Sequence, residues 1–527
     1  MNRSSIIIFL LLALPLGIRA QKNMTQLSVY TFPFQNLSGC WHYTDTAGNE
    51  YALIGAQNGI AFLDITQPSN PQFLFQLPGN SSNWHEVKVE GTYAYAVSEG
   101  VDTAGILNGV QIMDLRYLPD SVPYKFWQGD ANMPAPLVKG HTVTVDNGYL
   151  YVNGHNISQL GQGVLICSLA DPWNPVYLGA ITNHYSHDSY VRGNRLYSSE
   201  ILAGQFAVYD ITNRASPLLL ATQSTPGLFN HNTWLSDNGQ VIFTTDERGN
   251  QPVAAYDISN LSNISLLDEF KNVNLTQYEV HNVRVFNDYL INPSYGSQLT
   301  IADASRPDNI VEIANFPTGN FLCWDADPYL ASGAILATDM YFQKVYLFQP
   351  NYVRACYLEG TVTDSVTGLP VSNAAVSIVN SPVVKYSNTI GDYRTGIVDT
   401  GHYDVIFARQ GYTTKLIPGV SLQTGQVTAL NVQLSPDNIG VDETDFDRIL
   451  HVYPQPATDR LIMAGHETAN VTIQLCDLNG KEVLRTELQL QPGRQQAIDI
   501  SGIPNGMYVM QCIREGVMAA RRIAVIR

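Results

Sequence analysis

The feature that most constrains this chain is a short unit that recurs along its first two-thirds. The copy from His187 to Leu219 reads HDSYVRGNRLYSSEILAGQFAVYDITNRASPLL. A His opens an alternating apolar strand. A Gly-Asn turn leads to a second strand, and a third strand ends in Asp before a polar turn and a Pro. Short β-rich runs separated by turn residues predict a small antiparallel sheet. One such sheet cannot bury its own faces, but copies packed around an axis can. The opening strand recurs at His85 (WHEVKV), His141 (GHTVTV), His231 (NHNTWL) and His281 (VHNVRV), with a weaker copy at His42 (CWHYTD). A last variant, CWDADPYL, puts Asp325 where the His is expected. Successive His positions lie about 43 to about 56 residues apart, which suits four-stranded propeller blades. Seven units predict a roughly seven-bladed β-propeller, within a range of six to eight, over residues 21–350.

The repeated His residues are the candidate chemistry. If their strands line the central channel, His42, His85, His141, His187, His231 and His281 form a ring at its mouth, with Glu86 and Asp188 directly beside two of them. Glu99, Glu200 and Asp246 end the following strands. Converging imidazoles and carboxylates suit Zn²⁺ or another divalent transition metal, and the same groups can exchange protons near neutral pH. No other cofactor is indicated. The competing reading makes each His an architectural hydrogen-bonding group, because a catalytic centre needs different groups in different roles. The Asp that closes each unit (Asp64, Asp114, Asp210, Asp257, Asp303) reads as a turn cap, with Ser168 in its place in one copy. No GxSxG, HExxH or P-loop is present. The residues favour a non-catalytic propeller that binds a protein or glycan partner. The alternative is a metal-dependent hydrolase or lyase built on the His cluster.

Residues 1–20 read as a secretory signal peptide: Arg3, an apolar core from Ile6 to Leu16, then Ile18-Arg19-Ala20 before Gln21. That core is too short to span a bilayer, and no other run is long enough. A net charge of −17 argues against nucleic acid, whose binding needs clustered Lys and Arg. The six cysteines contain no CxxC pair, so a thiolate zinc site is not expected. Cys40 and Cys323 precede a Trp in the first and last units, which are neighbours in a closed ring. A disulfide between them is one expectation for an exported chain, and two buried thiols are the other.

Beyond the repeats the chain stays all-β. Residues 356–435 alternate short strands with Gly turns, 436–448 form an acidic linker, and 449–527 read as one more small β-sandwich.

These patterns resemble known families. The closing strand, with Asp64 and Asp210 before a Pro-containing turn and Asp257 before Ile-Ser, is similar to the LVIVD repeat. The terminal CWDADPYLASGAILATDMYFQKVYLF resembles the last blade of bacterial choice-of-anchor B proteins. Residues 356–435, through Gly360, Val362, Gly368, Pro370, Asp392, Tyr393, Gly401 and Tyr403, resemble the carboxypeptidase-regulatory-like domain. That likeness implies a β-sandwich spacer or binding module without an active site. Residues 449–527, through Pro454, Pro456, Ala457, Asp477, Gly480, Gly506, Tyr508 and a basic-apolar tail, are similar to the C-terminal sorting domain of type IX secretion substrates. This implies a Bacteroidetes-like source, dealings with the type IX machinery, and a chain attached to the outer-membrane surface or released.

Overall fold

The computed structural model describes residues 22–33, 35–271, 279–296, 298–317, 322–437, 446, 449–478, 480–514 and 517–527. The expected signal peptide and most of the expected linker lie outside these residues. The chain divides into two compact units, Met1–Ser435 and Pro436–Arg527.

The first unit begins with seven sheets, six of them from consecutive stretches of chain. In the first, Leu37–Thr44, Glu50–Ala56, Gly59–Asp64 and Gln72–Pro78 pair in order, each antiparallel to the last. The inner strands of the others are His85–Glu90, Thr142–Asp146, Asp188–Arg192, Asn230–Leu235, the pair Glu279–Val280 and Arg284–Phe286, and Cys323–Asp327. The seventh sheet takes its outer strand from the other end of the chain. Met24–Thr31 pairs antiparallel with Lys344–Pro350, from Met24 opposite Pro350 to Thr31 opposite Lys344, with a one-residue register shift between Gln26 and Ser28. The N-terminal strand thereby completes the last blade as its outer strand and ties the two ends of the propeller together.

Local sequence explains the blades. Asn147 and Gly148 both have positive φ, the type I′ geometry that matches strand twist across a two-residue hairpin. Second strands such as Glu50–Ala56 are buried throughout, because each blade packs on both neighbours. Tyr51, Leu53, Phe62, Val87, Ala94 and Met113 form one such interblade layer. The closing Asp residues cap the turn that follows them. Asp64 accepts from the Thr66 amide at 2.9 Å, Asp210 from Thr212 at 2.8 Å and Asp257 from Ser259 at 2.8 Å, while Ser168 Oγ takes the amide of Ala170 at 3.2 Å.

The expected Cys40–Cys323 disulfide is not formed. Both residues are free, buried thiols. They belong to different packing layers: Cys40 lies with Phe32, Leu37 and Ala52, and Cys323 with Met24, Ile291 and Ile335. Equivalent positions on neighbouring blades thus bury their sulfurs in separate layers.

A β-sandwich completes this unit, with sheets built around Cys356–Asp364 and Ala375–Ile378. It docks on the propeller. The Arg306 guanidinium donates twice to Glu359, at 3.0 and 2.9 Å. Buried Asp303 receives Arg354 and the Ala355 amide, each at 2.8 Å. Tyr357 and Val398 share a core layer with Ile301 and Ile313 of the propeller.

The second unit is a separate two-sheet sandwich. Leu450–Tyr453, Arg460–Gly465 and Gln495–Asp499 form one sheet. Glu482–Leu490, Ala469–Asp477, Gly506–Arg514 and Val517–Val525 form the other. Val471, Ile473, Met510 and Ile523 lie in its core.

Candidate functional site

Neighbour contacts set the register of the inner strands. Ser38 Oγ accepts from the His85 amide at 3.0 Å, so Ser38 holds the first position in blade one. The Nδ1–H of His187 donates to the His231 carbonyl at 3.1 Å, and that of His281 to the Trp324 carbonyl at 2.5 Å. The first positions are therefore Ser38, His85, His141, His187, His231, His281 and Trp324. Two sequence expectations change. Trp324, rather than Asp325, stands in the His position of the last blade. His42 lies four residues past that position in blade one, where its Nδ1 pairs with Asp327 at 2.7 Å.

The remaining histidines divide again. His85 is buried toward Gly79 and the strands of its own blade, and neither of its ring nitrogens has a partner. His141, His187, His231 and His281 form an arc, with successive ring centroids 4.0, 4.1 and 4.2 Å apart. Trp324 extends it at 4.5 Å from His281. His141 Nδ1 pairs with Glu99 at 2.7 Å. His231 is set against the His281 backbone outside hydrogen-bond geometry, leaving its Nδ1 unpartnered, as is His281 Nε2. Burial pushes His187 and His231 well below the ordinary imidazole value and His281 down to about 3, so these rings are neutral.

Glu247 joins the arc, although only its neighbour Asp246 stood out in the sequence. Its carboxylate lies 3.7 Å from His231 Nε2 and 3.8 Å from His281 Nε2. Burial, and then the nearby Glu279, push Glu247 up to about 7. Asp246 is instead spent on the linker that enters its blade from the preceding one, accepting from Thr225 Oγ1, the Gly227 amide and the Phe229 amide at 2.5 to 2.9 Å. Glu200 is likewise spent within its blade, on Tyr209 and Gln205.

Below the arc, second-position side chains fill the channel. Asp188 accepts from Asn232 Nδ2 at 2.6 Å and Thr142 Oγ1 at 3.2 Å. Asp325 takes both contacts of the Arg284 Nη2, at 2.7 and 3.0 Å, and one from Asn282 at 3.1 Å. Glu86 accepts from Trp324 Nε1 at 2.8 Å and lies 4.0 Å from Lys88. A Cβ at Gly39 would collide with the Glu86 carboxylate, which explains the glycine in blade one. Burial pushes Glu86 up to about 7, with Lys88 opposing. The void left among these groups and the arc is about 20 Å³, room for a water or an ion.

At the other end the channel opens into a bowl of about 360 Å³. Fourth-position residues Trp41, Lys88, Thr144, Tyr190, Trp234 and Arg284 line it with Tyr329 and Arg192. Trp234 and Tyr329 stack at 6.2 Å, Tyr190 meets Trp234 at 4.6 Å, and Arg284 lies 4.7 Å over the Trp234 ring. Lys88 sits 4.4 Å over Trp41. The period-two alternation of a strand could have shown this set, since positions one and three past each His share a face.

Three stretches match known families. Residues 47–77 match the LVIVD repeat, 357–435 the carboxypeptidase regulatory-like domain, and 451–526 the secretion system C-terminal sorting domain. No curated protein matches the chain. Among solved structures, the β-propeller domain of Myceliophteria thermophila Cps50 (Swd1) is similar, at 11% identity and a TM-score of 0.45. The likeness covers 61% of this chain and 99% of that one. Among the described residues no helix is long and apolar enough to cross a membrane. The chain is thus an all-β protein with an LVIVD repeat and a carboxypeptidase-regulatory-like sandwich, carrying the C-terminal sorting domain of type IX substrates that directs it to the cell surface or beyond.

Proposed function

We propose that this protein is a non-catalytic, exported binding propeller that takes a glycan in the aromatic bowl. On this reading residues 1–20 are its signal peptide, the source is a Bacteroidetes-like bacterium, and the propeller is of the choice-of-anchor B type. The observation that carries the reading is the bowl itself. Its volume of about 360 Å³ falls in the range of small-ligand sites. Trp41, Tyr190, Trp234 and Tyr329 offer apolar ring faces to sugar C–H groups, while Lys88 and Arg192 supply polar donors at the edge. A concave bowl of this size suits one or two sugar rings better than the broad face of a protein partner. The void beside the His arc, about 20 Å³, is too small for an organic substrate, which weighs against a hydrolase or lyase at that mouth.

The test uses residues 21–527 on a glycan array, followed by calorimetry with the strongest hit. The expected result is binding that falls at least tenfold in Trp234→Ala and in Trp41→Ala and is unchanged in Tyr386→Ala on the sandwich. The bound sugar should be recovered intact. An array without hits, or hits indifferent to both Trp substitutions, would refute the glycan reading and turn the search to protein partners. A hydrolysed or eliminated sugar would refute the non-catalytic part.

A further inference from the structure

We propose that the narrow mouth of the channel is a binding site for a single divalent transition-metal ion of the Zn²⁺ class, held by His187, His231, His281 and Glu247. The inference is independent of the glycan bowl, which lies at the opposite mouth.

Three observations carry it. The first is proximity. One ligand atom each from His187, His231 and Glu247 lie within 4.8 Å of one another. The Glu247 carboxylate also lies 3.7 Å from His231 Nε2 and 3.8 Å from His281 Nε2. Ligands around a four-coordinate Zn²⁺ stand roughly 3.4 Å apart, given bonds of about 2.0–2.2 Å. Side-chain shifts of about 1 Å would bring His187, His231 and Glu247 to that spacing, and His281, which stands outside this close group beside Glu247, has to move further to become the fourth ligand.

The second is orientation. His187 and His281 spend Nδ1–H on main-chain carbonyls, which leaves the Nε2 lone pair of each ring available. Metal-bound imidazoles are normally held in this way, by a carbonyl or carboxylate on the far nitrogen. His281 Nε2 is completely buried and has no hydrogen-bond partner, and neither has His231 Nδ1. A buried polar atom left unpaired is costly, and a metal bond to the ring removes that cost at His281.

The third is the break in symmetry. A His that served only its own blade would recur with the same surroundings in every blade. Blade one has Ser38 at this position, blade seven has Trp324, and His85 of blade two is turned away. Glu247, the acid that completes the set, comes from blade five alone. His141 stands at the end of the arc, 4.0 Å from His187, with its Nδ1 on Glu99. Hard oxygen-loving cations are a poor match for three imidazoles, whereas Zn²⁺, Co²⁺ and Ni²⁺ suit them.

The test uses residues 21–527 carrying no polyhistidine tag. The protein is stripped with a chelator, dialysed against Co²⁺ and then against metal-free buffer. The expected result is one Co²⁺ per chain with the intense visible bands of four-coordinate cobalt, displaced by one equivalent of Zn²⁺. Glu247→Gln should lose at least tenfold in affinity, and Trp234→Ala should lose nothing. A stripped wild type should also unfold at a higher temperature when Zn²⁺ is added, a readout that needs no variant. Retention of less than a tenth of an equivalent, with no Zn²⁺ effect on unfolding, would overturn the site. So would one equivalent held with the weak spectrum of six-coordinate cobalt and undiminished in Glu247→Gln.

Discussion

Arg284 and Asp325 meet at the centre of the channel with side chains only 2% and 1% exposed. The Arg284 Nη2 contacts both carboxylate oxygens, at 2.7 and 3.0 Å, and Asp325 also accepts from Asn282 and from the Ala326 amide. Removing one member leaves a charge buried without its partner, which costs about 3–5 kcal/mol, whereas replacing both with apolar groups is often close to neutral. Asp325→Asn strands the guanidinium over the Trp234 ring, with Arg284 Nε already unpartnered. The first unit has roughly 400 described residues, so its unfolding entropy is about 0.8 kcal/mol/K, and a loss of 4 kcal/mol lowers its transition by about 5 °C. The assay is calorimetry of wild type, Asp325→Asn, Arg284→Met and the Arg284→Met/Asp325→Leu double variant. Each single variant should lose about 5 °C, and the double variant should lose less than either. Strictly additive losses, or a shift below about 1 °C in Asp325→Asn, would refute the argument that an isolated buried charge dominates.

Two further outcomes follow from buried carboxylates. Glu86 is pushed up to about 7 by burial, above its unfolded value of about 4.5. A raised carboxyl stabilises the fold fully below the unfolded value and loses that contribution as pH rises through the folded one. Wild type should therefore lose about 3 kcal/mol relative to Glu86→Gln between pH 4.5 and pH 7–8, and paired denaturant titrations across that range should resolve the change; a constant difference contradicts it. Asp303 caps Ser305, as its relatives do, but also receives Arg354 and the Ala355 amide where the sandwich docks. Asp303→Ala should cost about 3 kcal/mol and make the link at Arg354 more sensitive to limited trypsin digestion, against about 1 kcal/mol at the half-buried Asp257→Ala, where the capping bond to the Ser259 amide is lost. Equal costs at the two positions would remove the docking role.

How much of this was legible in the chain depends on the range of the interaction. The strand-turn-strand grammar, the Asp caps and the grouping of strands into repeated blades are local, so the sequence by itself determined them. The same holds for the sorting domain at the C-terminus, whose turn and core residues follow one another in fixed order. The ring of His residues was legible only as a repeat. Contacts between blades decided which members meet, because a shift of a few residues along an inner strand moves a side chain from one mouth to the other. That is why His42 left the arc, why Trp324 rather than Asp325 entered it, and why Cys40 and Cys323 fell in separate layers. Glu247 stands one residue past the second strand of its blade, as Glu99 does in blade two, and only the packing of blades sets it between His231 and His281. The aromatic bowl is the intermediate case. Its residues obey the two-residue period of a strand, which the sequence contains. Only closure of the ring brings Trp41 within 5.8 Å of Tyr329, although nearly three hundred residues of chain separate them.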